Sequence, residues 1–261
     1  MSSPDATLDY ERCLELSLDI PNAPNMVSTL TAMWGHYVSR ADLPHARQVS
    51  ATLQSLISGD WGAFWRPQNI ASFAMIDWFE GDFNRADEQL QLSIGSLYAT
   101  ETFDKEVAAA WYLPTHPTVA MHVHLAIARF MADDTVGADE NQRRALEMSE
   151  GLPFPQGPWT AAYARWYLAW MFMERGDHER SFALLGEASA IGEQHGYDIW
   201  SLVAMTQHAA TTASRDMSSP RGVSVAPGQA VLDSLVSAWQ TVDLRNCLTI
   251  YLTMLGRMAA A

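Results

Sequence analysis

Three histidines and three aspartates near the middle of the chain have the types and spacing that could do chemistry. His116, His122 and His124 fall close together, and imidazole is a common ligand for zinc and related ions. On a helix, positions two apart face different sides, so His122 and His124 cannot readily share one ion. They are read as structural or surface histidines, and no metal site is expected. Asp133, Asp134 and Asp139 form a D-D-x-x-x-x-D pattern, and carboxylates so spaced can hold Mg²⁺ on a diphosphate. No phosphate loop of the G-x-x-x-x-G-K-[ST] kind and no G-x-S-x-G nucleophile elbow occurs in the chain. No cofactor is expected, and no residue is assigned a catalytic role.

Ten tryptophans are the other chemical resource. Trp166 and Trp170 stand at helical spacing and read as core. Trp61, Trp65, Trp111 and Trp159 lie in or beside stretches that read as loops. Aromatic side chains on loops can line a groove for a peptide, a partner helix or a small molecule, or they can plug the end of a helical stack. A pocket built from them would collect Trp111, Tyr112, His116, Phe154, Trp159, Tyr163 and Trp200. The two long loops of the chain would bring these residues to one rim.

Helices must position these residues. Residues 158–196 give the pattern. Trp159, Ala162, Tyr163, Trp166, Tyr167, Trp170 and Met171 recur at steps of three and four, which marks one helix face. Gly176-Asp177 stops that helix and starts a second, lined by Ser181, Leu184, Leu185, Ala188 and Ile191, with Gly196 placed as a C-terminal cap. The same punctuation recurs at Ala41-Asp42 with Ala46, Gly81-Asp82 with Ala86, and Asp133-Asp134 with Ala138. The Asp can cap the second helix by accepting an N–H bond. The small residue four positions later lets the two helices approach closely. In this frame Asp134 already has a structural task as the turn aspartate of its hairpin.

Taken in order, the chain predicts a first helix over 5–20 and hairpins of 25–40 with 43–58, and 67–80 with 83–98. A loop over 59–66 separates the two. A long connection over 99–116 follows, with one helical turn near 105–111. The third hairpin is 117–131 with 135–150, and the fourth is the one described above. The fifth pairs 197–215 with 228–240 across a Ser-, Pro- and Gly-rich mobile loop at about 216–227. A last helix covers 244–260. Strand alternation is nearly absent, so an all-α chain is expected, with well over half its residues in helix. Residues 1–261 are read as one helical-repeat domain.

The formal charge of −14 and the isoelectric point near 4.8 argue against a nucleic-acid-binding surface. No apolar run is long enough to span a membrane. The start of the chain has no basic and apolar leader pattern, and Cys13 and Cys247 make no zinc or redox spacing, which fits a reduced cytoplasmic setting. The first and last helices lack partners in the predicted array, so the chain is expected to be a segment of a longer protein. Leu248, Tyr251, Leu252 and Leu255 would form an exposed apolar stripe on the last helix, open to self-association or to an adjoining segment.

The turn pattern of Gly81-Asp82-Phe83 with Ala86, and of Gly176-Asp177 with Ser181, resembles the turn of tetratricopeptide repeats. Here the turn aspartates stand 40, 52 and 43 residues apart, against about 34 in the standard repeat, so any repeats are long and degenerate. Thr115-His116-Pro117-Thr118-Val119-Ala120 with Leu125-Ala126-Ile127-Ala128, Gly196-Tyr197-Asp198-Ile199-Trp200, and Ala238-Trp239-Gln240 are similar to the helical-repeat region of actinobacterial signal-transduction ATPases. In those proteins cyclase-, kinase- or LuxR-type DNA-binding domains lie elsewhere in the chain. This resemblance implies a right-handed solenoid of antiparallel helical hairpins and a regulatory, non-catalytic role in recognising a protein partner or adjoining domains of a parent chain. A sensor domain that binds a small effector on its concave face is a second expectation. The aspartate pattern is similar to that of class I terpene and prenyl synthases. Their second metal motif, N-x-x-x-S-x-x-x-E, is broken by Ala145, which leaves the enzyme reading weak.

Overall fold

The structure, a computed structural model, describes residues 4–18, 23–57, 60–98, 114–219 and 226–260. Among them all regular structure is helical, with twelve helices and no strand. The chain divides into two compact units, Met1–Asp139 and Glu140–Ala261. The first contains α1 (Pro4–Leu18), α2 (Ala23–Ser39), α3 (Leu43–Leu56), α4 (Asp60–Phe79), α5 (Phe83–Tyr98) and α6 (Pro117–Met131). The division falls within α7 (Thr135–Glu150). The second unit continues with α8 (Gln156–Glu174), α9 (His178–His195), α10 (Asp198–Met217), α11 (Ala226–Thr241) and α12 (Leu248–Ala260). Within each unit a helix packs on its neighbours in sequence. The first helices of successive hairpins also touch, α4 with α6, α8 with α10, and α10 with α12. No helix of the described residues is long and apolar enough to cross a membrane.

One local geometry makes four of the reversals. The backbone N–H groups of Asp42, Asp82, Asp134 and Asp177 donate to the carbonyls of Tyr37, Asp77, Arg129 and Phe172, each at 2.9 Å. These are the six-to-one bonds of a Schellman turn, which needs a left-handed residue just before the acceptor helix is left behind. Ala41 (φ 57°), Gly81 (86°), Asp133 (61°) and Gly176 (78°) supply it. Each aspartate then accepts from the N–H three residues on, that of His45, Arg85, Gly137 or Arg180. One turn later Ala46, Ala86, Ala138 and Ser181 are all 0% exposed, so the small residue does sit where the two helices meet. Ser181 also shares a hydrogen bond with Thr211 at 3.0 Å.

A fifth turn of the same shape joins α11 to α12 and escaped the sequence pattern. Asp243 has φ 54°, and the N–H of Leu244 donates to the carbonyl of Trp239. Leucine occupies the capping place and cannot accept the N–H. The last helix begins at Leu248 rather than at the predicted 244.

Other expectations need correction. Residues 60–66 are not a loop but the first turns of α4, which runs through Pro67. Trp65 is buried there, not loop-borne. Trp65, Pro67, Gln68 and Asn69 are buried, and this packing carries the helix past the missing N–H of Pro67, whose cost inside a helix is roughly 3 kcal/mol. Ser93 Oγ donates to the Pro67 carbonyl at 2.7 Å and ties α5 to this point. α8 is buried on nearly every side, not on one face. Asp216 and Met217 close α10, and Ala226 and Pro227 open α11. The remainder of the predicted mobile loop, 220–225, lies outside the described residues, as do 99–113 with the helical turn expected near 105–111.

The apolar stripe on the last helix is also corrected. Leu248 is 8% exposed and Tyr251 0%, whereas Leu252 is 50% exposed. The buried face is Leu248, Tyr251, Met254 and Met258. Tyr251 accepts the indole N–H of Trp166 at 3.1 Å, and the Cys247 thiol donates to the Tyr167 hydroxyl at 3.5 Å. On α1, Leu8 and Leu16 are exposed, at 65% and 50%.

Three outcomes check this fold. Asp82→Ala removes one cap and should cost about 1 kcal/mol of unfolding free energy. Ala86→Leu forces a larger side chain between packed helices and should cost about 1–3 kcal/mol. Urea denaturation measures both, and a neutral Ala86→Leu would show that the helices are not in contact there. Burial pushes the Cys247 thiol up to about 12, while Cys13 is exposed. A thiol reagent at pH 8 should therefore consume one thiol at once and the second only as fast as the α12 region opens. Equal rates would mean that this region does not pack on α8.

Candidate functional site

The aromatic residues of the second unit form a continuous row where α8 begins and α9 gives way to α10. Gly196 ends α9 in the left-handed conformation (φ 68°), and the N–H of Tyr197 donates to the carbonyl of Gly192 at 2.8 Å. α10 starts at once, which turns Tyr197 and Trp200 toward the first turn of α8. Gly192 permits this closeness, because an added Cβ would lie 3.1 Å from the Cβ of Trp200. Trp159 meets Trp200 at 5.0 Å and Tyr197 at 5.2 Å between ring centroids, both edge-on. His195 stacks on Tyr197 at 5.7 Å, and Phe154 stacks on His195 at 5.9 Å.

Exposure changes along this row. Phe154 is 71% exposed and Trp200 4%, while Trp159, His195 and Tyr197 lie between those limits. Tyr163 approaches Trp200 at 6.4 Å and Tyr167 at 4.8 Å. As a residue Tyr163 is only half-covered, yet its phenol end turns inward. Burial first, then the nearby Cys247 thiol, raise its pKa well above the ordinary value. Behind it, Trp166 touches Trp200, Trp239 and Tyr167, and the Trp239 indole donates to Thr206 at 2.9 Å. The row is thus an exposed edge of the core, with rigid rings held from behind. It offers ring faces and edges for recognition.

Four of the seven residues expected at a pocket, Phe154, Trp159, Tyr163 and Trp200, come together here. Trp111 and Tyr112 lie outside the described residues. His116 belongs to the first unit, where it is buried at the start of α6 and its carbonyl accepts from the N–H of Ala120. Sequence reasoning missed His195 and Tyr197. Their signal was the Gly between them, which ends one helix and brings both rings to the same corner.

No family model, curated protein or solved structure matches the chain. The tetratricopeptide and signal-transduction resemblance therefore stands on its motifs alone.

The other chemical candidates have structural occupations. Asp134 caps α7 through Gly137 and lies 3.8 Å from Arg129, and Asp133 is the left-handed turn residue. Among the described residues no three His, Cys, Asp or Glu side chains group as a metal site would need. His122 and His124 are each 1% exposed. His124 Nδ1 donates to the Ala120 carbonyl at 2.9 Å, and its ring packs edge-on against Trp78 and Phe79.

Burial pulls the pKa of His124 down to about 4, against a smaller upward effect of the Ala120 hydrogen bond. The unfolded chain, with a value near 6.5, takes up the proton first as pH falls. Stability is therefore full above about pH 6.5 and is lost progressively toward pH 4. Between pH 7 and 4.5 the wild type should lose about 2–3 kcal/mol more than a His124→Gln variant in urea unfolding. Parallel pH profiles would place this imidazole in solvent.

Proposed function

We propose that this chain is a non-catalytic recognition domain of a signalling or transcription-regulatory protein. Its aromatic row in the second unit would receive a segment of a protein partner or of adjoining domains of a parent chain. The observation that carries the reading is the stack from exposed Phe154 through His195 and Tyr197 to Trp159, backed by buried Trp200. Rigid aromatic side chains exposed at one end and packed at the other are the usual anchors of protein interfaces. The row carries no nucleophile paired with a base, which favours binding over turnover. The recurring capped turns support a right-handed solenoid of long, degenerate tetratricopeptide-like hairpins as the architecture. Cys13 and Cys247, neither of them in a disulfide, fit a cytoplasmic setting.

Panning a random peptide library against the protein gives the test. Selected peptides should shift tryptophan fluorescence, and Trp159→Ala combined with Phe154→Ala should weaken them at least tenfold. Anchors of this kind are worth roughly 2 kcal/mol or more. Failure to enrich any peptide, or equal binding to the double variant, would remove the aromatic row as a docking surface. Mg²⁺-dependent release of pyrophosphate from a prenyl diphosphate, lost in Asp133→Asn, would replace the whole reading with the synthase.

A further inference from the structure

A cleft of about 360 Å³ opens in the first unit between the end of α3 and the early turns of α4, lined by Gln54, Ile57, Arg66, Asn69 and Ile70. That volume is at the small end of the range for small-molecule sites, roughly 300–1,000 Å³. Nothing in the sequence pattern marks it, because its lining comes from two helices whose residues are not adjacent in the chain.

Arg66 is the informative residue. Among the described residues every other arginine has a carboxylate, an imidazole or an aromatic ring as partner. Arg66 has none of these, although its unit holds 18 acidic residues against 7 basic ones. Arg66 lines the cleft, and a guanidinium so left can form the two-pronged contact with a carboxylate that arginine favours. One turn of helix away, Asn69 is 6% exposed. It is fixed by an Nδ2 bond to the Ser50 carbonyl at 2.8 Å and lines the cleft. Gln54 adds a second amide. Ile57 and Ile70 complete the lining with hydrocarbon.

One cation, two amides and two branched aliphatic walls define a narrow chemistry. A single guanidinium inside an acidic unit balances one negative charge and disfavours a dianion. The isoleucines reward apolar surface on the ligand, at roughly 25 cal/mol per Å² buried. We propose that this cleft binds a small aliphatic monocarboxylate, its carboxylate on Arg66 with the amides of Asn69 and Gln54 beside it and its hydrocarbon against Ile57 and Ile70. The site is built from residues of the first unit alone and does not depend on the aromatic row of the second.

Sodium isovalerate, its uncharged isostere isovaleramide, sodium acetate and inorganic phosphate serve as probes, titrated into the ¹⁵N-labelled full chain. Isovalerate should give saturable shifts confined to amides of residues 54–57, 65–66 and 68–70. Isovaleramide, acetate and phosphate should each bind at least tenfold more weakly. Arg66→Gln, at an exposed position that leaves the fold intact, should weaken isovalerate at least tenfold, while Trp159→Ala should leave it unchanged. Absence of saturable shifts, equal binding of the amide or of phosphate, or an Arg66→Gln variant with unaltered affinity would each overturn the site. A loss of isovalerate binding in Trp159→Ala would show that the two regions are not independent and would overturn it in this form.

Discussion

Four reversals of the chain depend on a two-residue constraint: one residue in the left-handed conformation, then one side chain that can accept the first free N–H of the next helix. The six-to-one bond closes the outgoing helix, and the aspartate opens the incoming one. Both tasks are met within two positions, so the next helix starts directly after the turn. Gly81 and Gly176 take the left-handed place without penalty. Ala41 and Asp133 take it at a steric cost of about 1–2 kcal/mol for a residue with a Cβ. That they persist shows that the surrounding packing determines the turn. Where the acceptor is missing, at Leu244, the closure survives but the next helix starts three residues later than it does after a capping aspartate.

Packing between helices then uses charge sparingly and where it can be satisfied. Asp77, with a side chain 3% exposed, lies on α4 between Arg47 of α3 and Arg85 of α5, at 2.8 and 3.0 Å. Gln89 donates to it as well. The hydrogen bond to Asp77 is the largest influence on Arg47 and holds that guanidinium yet more firmly in its charged form. A carboxylate so covered costs several kcal/mol to desolvate, and it is tolerable only with its lone pairs filled. Here they are filled from three directions. Arg165 plays a related part in the second unit, reaching Glu187 at 2.6 Å and Glu150 at 3.2 Å.

Much of this was legible in the sequence, because the turn chemistry is local. Gly-Asp with a small residue four later located the reversals, and all four capping aspartates and all four small residues are placed as that logic requires. What failed was non-local. Pro67 reads as a helix start, yet α4 begins before it. The same holds for α12, where periodicity alone could not say that Leu248 and Tyr251 face inward and Leu252 outward. Aromatic content near proline pointed to Phe154, Trp159, Tyr163 and Trp200. It could not add His195 and Tyr197, which join them only through the reversal at Gly196. The cleft at Arg66 left no trace in the sequence, since an unpaired cation is recognised only once every other partner is known.

The two units handle their charge differently, and this bears on what each can bind. The first has 18 acidic and 7 basic residues, the second 12 and 9. In the first, Arg47 and Arg85 hold Asp77 and Arg129 holds Asp87, so three of its seven cations tie helices together. A cation withheld from that use, in a field that repels anions, can favour a ligand only if apolar contact adds to the attraction. The isoleucines beside Arg66 give that addition. In the second unit the charges come closer to balance, and the aromatic row is built of rings rather than of carboxylates or guanidinium groups. Recognition there must come from the shape and area of rigid rings, whose order is set by the buried Trp200 and by the glycine that lets it approach α9.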